Sequence, residues 1–220
     1  MRKDAGWWLP DAAPFTFSVR DAKMDQVDYV MKYVPRKRRV AVVAGAWNGL
    51  VPAAMSNYMA SVVAFEPDCE NYLCAVLNLV PHRNVSIHHT LLAERNGVAA
   101  LANANDGLHY VATTDAEAAN RVPALALDAL CLDRVDLVWL DVEGYEHRVL
   151  EGAEGTIRRC GPTVIYEENA LVSRYGRQRG DVARWLEERG YKHAGTWTTL
   201  PPEVQDDGEF RGSDLIYVRS

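Results

Sequence analysis

Apolar positions change their spacing several times along the 220 residues, and each change marks an element. At 138–153 the chain reads V-W-L-D-V-E-G-Y-E-H-R-V-L-E-G-A. A continuous apolar run closes on Asp141. Past Gly144, Val149, Leu150 and Ala153 recur at helical spacing and leave Glu146, His147, Arg148 and Glu151 for the opposite face. A period that passes from strand-like to helical across a glycine predicts a buried strand feeding a helix. The same switch occurs upstream. Residues 39–43 form a β-rich run that breaks at Ala44-Gly45-Ala46-Trp47-Asn48-Gly49, and a helix of small residues follows through Tyr58. Asn48 is its expected N-cap, and Pro52 is tolerated in the first turn. Residues 61–65 predict a second strand, closed by Glu66-Pro67-Asp68. Asp68 caps a helix through Leu79 whose apolar positions are Tyr72, Leu73, Val76 and Leu77.

Residues 84–89 alternate as a half-buried third strand. Residues 93–121, rich in Ala, Asn, Asp and Thr, carry no clear period beyond a short edge strand at 108–112. A fourth strand is predicted at 136–140, a helix at 145–159 and a fifth strand at 163–166, ending in Glu167-Glu168-Asn169. A helix at 181–189 turns Val182, Trp185 and Leu186 inward, and strands at 191–197 and 214–218 close the chain across a polar loop. Near the start, Met24, Val27, Met31 and Val34 predict an amphipathic helix over 21–34. Residues 1–20 bring Trp7, Trp8, Phe15 and Phe17 without a period. They are expected to lie across the domain as a lid or tether, or simply to cover a core edge. Strand and helix alternate from 39 to 190, which predicts the α/β class: a doubly wound, Rossmann-like parallel sheet with a closing antiparallel hairpin. Residues 1–38 then form an N-terminal aromatic extension and lead helix, and 39–220 the main domain.

Composition narrows the function. Nearly half the residues (48%) are hydrophobic and 25% charged, enough to bury a core. A formal charge of −6 argues against nucleic-acid binding by bulk electrostatics. The basic run Arg36-Lys37-Arg38-Arg39 reads as a solvated lead-in to the first strand. Cys69, Cys74, Cys131 and Cys160 show no metal or C-x-x-C spacing and read as reduced thiols of a cytoplasmic protein. Met1-Arg2-Lys3-Asp4 is charged but no apolar stretch follows it, so no signal peptide is expected. Residues 40–65 lack charge, yet glycines, Pro52 and asparagines break them into strand, turn, helix and strand, so no membrane span is expected.

The candidate chemistry lies at strand ends. Gly45 and Gly49 stand where a strand feeds a helix, and glycines there let backbone approach a ligand. Glu66 follows about 20 residues past Gly45, the distance at which a carboxylate accepts ribose hydroxyls. Asp68 is the better helix cap, which leaves Glu66 for that role. The dinucleotide pattern G-x-G-x-x-G is absent, because Ala46 and Trp47 follow Gly45. A nucleoside with a small zwitterionic tail, such as S-adenosylmethionine, fits one glycine turn and one carboxylate better than a pyrophosphate cofactor does.

These stretches carry a resemblance. V-V-A-G-A-W-N-G (42–49), A-F-E-P-D-C-E-N-Y (64–72), N-V-S-I-H-H (84–89), W-L-D-V-E-G-Y-E-H-R-V-L-E-G-A (139–153) and, less specifically, P-T-V-I-Y-E-E-N (162–169) resemble FkbM-type class I S-adenosylmethionine-dependent methyltransferases. The resemblance covers 39–170 and implies a seven-stranded sheet, mostly parallel with an antiparallel last strand. It implies that Gly45, Ala46, Asn48 and Gly49 line the methionine part of the cofactor, that Glu66 binds its ribose, and that Asp141 faces donor or substrate. One position departs. The family turn usually has an aspartate two residues before the glycine, a carboxylate that orients the cofactor's polar tail, and here that residue is Val43.

Methyl transfer to a hydroxyl needs alignment, exclusion of water and a base. Asp141 and Glu143, two apart at a strand end, are the candidate catalytic pair, Asp141 at the cofactor–substrate junction and Glu143 on the substrate hydroxyl. The bland reading of Glu143 is a first-turn residue complementing the helix dipole. With Glu167 these carboxylates offer too few ligands for Mg²⁺, so no metal is expected. One of His88 and His89 can face the pocket, and His147 is expected in solvent. The resemblance implies an acceptor that is a small molecule or carbohydrate, methylated on oxygen, and 93–121 with the aromatic N-terminus is expected to cover it. Two other readings stand beside this one: a methyltransferase-like fold kept as a binding or assembly module, favoured by Val43, and a nicotinamide oxidoreductase, disfavoured by the missing glycine pattern.

Overall fold

Seven apolar runs pair into one sheet: β1 (Val40–Ala44), β2 (Ser61–Phe65), β3 (Val85–His88), β4 (Leu137–Leu140), β5 (Thr163–Glu168), β6 (Tyr191–Trp197) and β7 (Ser213–Arg219). In this computed structural model the described residues are 1–4, 6–11, 17–103, 109–112, 120–198 and 213–220. The strand order is β6-β7-β5-β4-β1-β2-β3. Neighbours from β5 through β3 are parallel, and β7 runs antiparallel to both β5 and β6. The expected closing hairpin is present, with β7 inserted between β5 and β6. The chain winds outward from β1 to β3 and then returns to β4 on the other side of β1. The order therefore reverses between β1 and β4, where open α/β sheets leave a crevice at their carboxyl ends.

Alternating side chains divide the sheet into two apolar layers. Val43, Trp139, Ile165 and Ile216 pack with Val27, Val30, Met31 and Val34, which belong to α1 (Phe17–Val30) and the turn after it. Val42, Val138, Leu140, Val164 and Tyr166 face the opposite layer, shared with Val149, Leu150, Ile157, Val182 and Leu186. Fully burying a side chain of this size stabilises by about 1.5–3 kcal/mol, so these rows fix the strand register. On the first face lie also α2 (Leu50–Met55) and α3 (Cys69–Leu79); on the second lie α4 (Glu146–Glu151), α5 (Glu154–Cys160) and α6 (Asp181–Glu187).

Several expectations are corrected. The predicted helix at 145–159 is two helices, because Asp128 accepts from the Gly155 and Thr156 amides (2.7 and 2.6 Å) and starts α5 afresh. α3 buries Cys74, Ala75 and Leu79, and leaves Leu73 and Leu77 exposed. Glu146 and His147, assigned to the polar face, are both buried. The stretch after β3 builds a second sheet from Leu91–Leu92, Gly97–Asn103, His109–Val111 and Asn120–Leu125, with Leu92, Leu101 and Val122 turned to the core. At the N-terminus, Arg2–Asp4 and Trp7–Leu9 form a hairpin whose Leu9 is fully buried against Leu50, Trp7 and Trp47. Pro14, Phe15 and the polar loop of 199–212 lie outside the described residues. Among the described residues no helix is long and apolar enough to cross a membrane.

Candidate active site

The crevice between β1 and β4 is built on a contact at Gly45. This residue sits at φ 79°, a conformation that suits glycine, and an added Cβ would lie 1.8 Å from the Asp141 carbonyl oxygen. The Gly45 and Ala46 amides both donate to the Phe65 carbonyl (3.1 and 3.0 Å), tying the turn to the end of β2. The cap position of α2 belongs to Gly49 (φ 87°) rather than to Asn48. Gly49 takes it because Ala75 and Leu79 press so close that a Cβ would meet them at 3.1–3.3 Å. Asn48 still accepts from the Leu50 amide (3.3 Å), but its Nδ2 is buried and bonds nothing among the described residues.

Glu66 closes one wall. Its carboxylate accepts from the Trp47 amide at 2.7 Å and from the Asp68 amide at 2.9 Å. Burial pushes it up to about 8, against the pull of those two bonds. Asp68 caps α3, accepting from the Asn71 amide at 2.8 Å, which leaves Glu66 out of the capping role.

Asp141 closes the other wall, in company that differs from the expected Asp141–Glu143 pair. Its Oδ2 accepts from Lys23 Nζ at 3.1 Å, and both side chains are half-buried. Glu167 and Asp214 face each other across the β5–β7 ladder, one strand beyond. Burial draws the Lys23 ammonium down, but the charges of Asp141, Asp214 and Glu167 outweigh it and hold it above the ordinary lysine value. Burial, reinforced by the Asp141 charge, pushes Glu167 up to about 7. Asp214 also rises to about 7, chiefly by burial, with Lys23 opposing and Asp141 and Glu167 adding.

Glu143 stands apart from strand geometry. β4 ends at Leu140, and Glu143 adopts φ 56°, so alternation along a strand does not fix its direction. Its charge adds to the burial that pushes the Tyr175 phenol up. Glu146 is the carboxylate that organises this loop: it accepts from the Val142 and Gly144 amides (3.2 and 3.3 Å), and burial pushes it up to about 8. His88 stacks on Phe65 and is exposed; His89 stacks on Tyr72 and contacts the Pro67 carbonyl at 3.0 Å. Among the described residues, no group of three His, Cys, Asp or Glu side chains is arranged to hold a metal ion.

Sequence reasoning missed Lys23, Asp214 and Glu146. A signal existed for the first two. Lys23 continues the stripe Val27-Val30-Val34 at helical spacing, and Asp214 stands two residues before the inward Ile216 of the same strand. Glu146 gave none, since its burial depends on a loop that folds back over it.

The strand order, the glycine turn at the reversal point and the carboxylate ending β2 define a class I methyltransferase fold. A family model described as the methyltransferase FkbM domain matches residues 40–193, and the chain belongs to that family of S-adenosylmethionine-dependent methyltransferases. No curated protein matches the sequence. Solved structures agree in fold. An FkbM methyltransferase from Methylobacillus flagellatus KT has a TM-score of 0.56 at 14% identity, over 94% of this chain and 56% of that one. Magnesium protoporphyrin IX methyltransferase from Synechocystis PCC 6803 with bound SAM gives 0.55 at 14% identity, over 93% and 81%. An rRNA methylase from Streptococcus thermophilus gives 0.55 at 13% identity, over 89% and 94%.

The residues present fit the cofactor. The unpartnered Asn48 amide lies buried in the glycine turn, and Glu66 has lone pairs left after its two backbone bonds.

Proposed function

We propose that the protein transfers a methyl group to a hydroxyl of a sugar, glycan or small natural product. The observation that carries this is the half-buried carboxylate of Asp141 at the β1/β4 reversal, on the residue whose main-chain carbonyl packs against Gly45 of the glycine turn. Gly45, Ala46, Asn48 and Gly49 line the methionine part of the cofactor, and Glu66 holds the ribose. When bound, S-adenosylmethionine supplies an electrophilic methyl that needs no further activation. What remains for the protein is to align the acceptor, exclude water and receive a proton. In this reading Asp141 serves the junction of donor and acceptor, and Glu143, in the loop that follows β4, bonds the acceptor hydroxyl. The net charge disfavours nucleic acid as acceptor, and four unpaired cysteines favour a reducing, cytoplasmic setting.

Val43 favours a second reading, a binding module with an emptied cofactor seat. It is fully buried in the apolar layer under α1. Against this reading, Asp141 provides a carboxylate at the rim of that same layer, paired with Lys23. Calorimetry with S-adenosylmethionine separates the two. The expected result is saturable binding, followed by methyl transfer from labelled donor to at least one of a panel of glycosides and hydroxylated natural products. No heat of binding under any condition in which the protein is folded would leave only the module.

A further inference from the structure

The sheet face under α1 ends in a row of acids. Alternation places Trp139 and Asp141 at the end of β4, Ile165 and Glu167 in β5, and Ile216 and Asp214 in β7 on the same side. Glu167 and Asp214 are direct cross-strand partners, a position in which two like charges repel. Lys23 reaches this row from α1 and bonds Asp141, not the pair. Asn169 Nδ2 donates to Glu167 Oε2 at 2.7 Å, and the buried Gln26 side chain of α1 lies beside Asp214.

We propose that the Glu167–Asp214 pair shares a proton in the free protein and that arrival of the cationic methyl donor expels it, leaving the pair ionised to receive the acceptor's proton. The inference rests on the donor seat described above. Two half-buried carboxyl groups facing each other cannot both ionise cheaply, and a fixed positive charge brought nearby favours the ionised form. The groups facing the pair are Lys23 and Gln26 from α1, Asp141 after the end of β4 and Asn169 after β5. Burial raises both carboxyls and Asp141 adds to it, while Lys23 opposes and the side-chain amides of Asn169 and Gln26 oppose at Glu167 and Asp214 respectively; the balance leaves both near 7, where a modest change of charge moves the proton. In the transfer, the hydroxyl oxygen forms the bond to the methyl carbon, and the carbon–sulfur bond breaks with its electron pair left on sulfur. The hydroxyl proton passes to the Glu167–Asp214 pair. Lys23 is a positioning residue here: by binding Asp141 it prevents a third free negative charge from locking the proton onto the pair.

Two ligands test this without knowledge of the acceptor. S-adenosylmethionine and S-adenosylhomocysteine share every group the seat binds, and only the first carries a sulfonium charge. Calorimetric titrations at pH 7 in phosphate and in Tris, whose ionisation enthalpies differ, count released protons. S-adenosylmethionine is expected to release about 0.3–1 proton more than S-adenosylhomocysteine. Any contribution from Glu66 is common to both ligands and cancels. The difference is expected to vanish in Glu167→Gln and in Asp214→Asn while binding persists; either variant suffices if the other does not fold. Equal release by the two ligands, or a difference that survives both substitutions, overturns the proposal. Failure of the wild-type protein to bind either ligand instead removes the donor seat, and the proposal falls with it.

Discussion

Gly45 joins the two walls of the crevice, and the demands on it are both conformational and steric. At φ 79° an alanine is strained, and its Cβ would overlap the Asp141 carbonyl. Gly45→Ala must push back the end of β4, and the expected destabilisation is about 2–4 kcal/mol, read from the urea midpoint. Glu66 makes a different kind of demand. Both of its oxygens accept backbone N–H bonds, so Glu66→Gln turns an NH₂ group toward either the Trp47 or the Asp68 amide. Affinity for S-adenosylmethionine is expected to fall about tenfold or more. An unchanged affinity in a folded Glu66→Gln protein would take the ribose away from this residue.

At the scale of elements, the N-terminal hairpin is fastened to the cofactor turn through one side chain. Asn78 of α3 accepts from the Trp8 amide (2.8 Å) and donates to the carbonyls of Trp8 (2.9 Å) and Asn48 (2.8 Å). Asn78→Ala breaks all three bonds, with an expected cost of about 2–3 kcal/mol and weaker donor binding, because Asn48 loses its anchor. A lower Tm with unchanged donor affinity would show that the hairpin covers a core edge without bracing the turn. β1, β2 and β4 were legible as short apolar runs closed by Gly45, Glu66 and Asp141, and alternation with helices predicted a mostly parallel sheet, though not the spatial order of its strands. Asp68 was legible as a cap for the same local reason. The small sheet of 91–125 was not, since Ala and Asn positions there alternate too weakly to mark two faces. Asp141 could be placed from its strand, but its partners could not be. Lys23 is separated from it by more than half the chain and meets it only because Val27 and Val30 seat α1 on the sheet. Glu143 was misjudged geometrically because a left-handed residue after the strand end breaks the period on which the argument relied.

Over the whole molecule, the buried and half-buried acids set a pH dependence whose sign follows from their direction of shift. Glu66 and Glu146 stand at about 8, and Glu167 and Asp214 at about 7, each raised first of all by burial. A carboxyl whose folded pKa exceeds its unfolded value contributes stability that is complete below the unfolded pKa and is lost as pH rises through the folded one. These four groups therefore weaken the fold between about pH 4 and 8. Asp136 acts in the opposite sense: burial resists, but bonds from the Arg39 side chain and amide hold it low, so its contribution is lost only in acid. The ligand-free protein is expected to show its highest Tm in mildly acidic buffer and to lose several degrees by pH 8.5. Donor binding must then have the mirror dependence. A ligand that expels a proton binds more tightly where that proton is already gone, by up to about tenfold per pH unit for one proton. The Tm increment produced by saturating S-adenosylmethionine is thus expected to grow from pH 6 to 8, while that produced by S-adenosylhomocysteine grows less. Parallel increments for the two ligands across that range would mean that the acids at the sheet edge do not sense the charge of the donor.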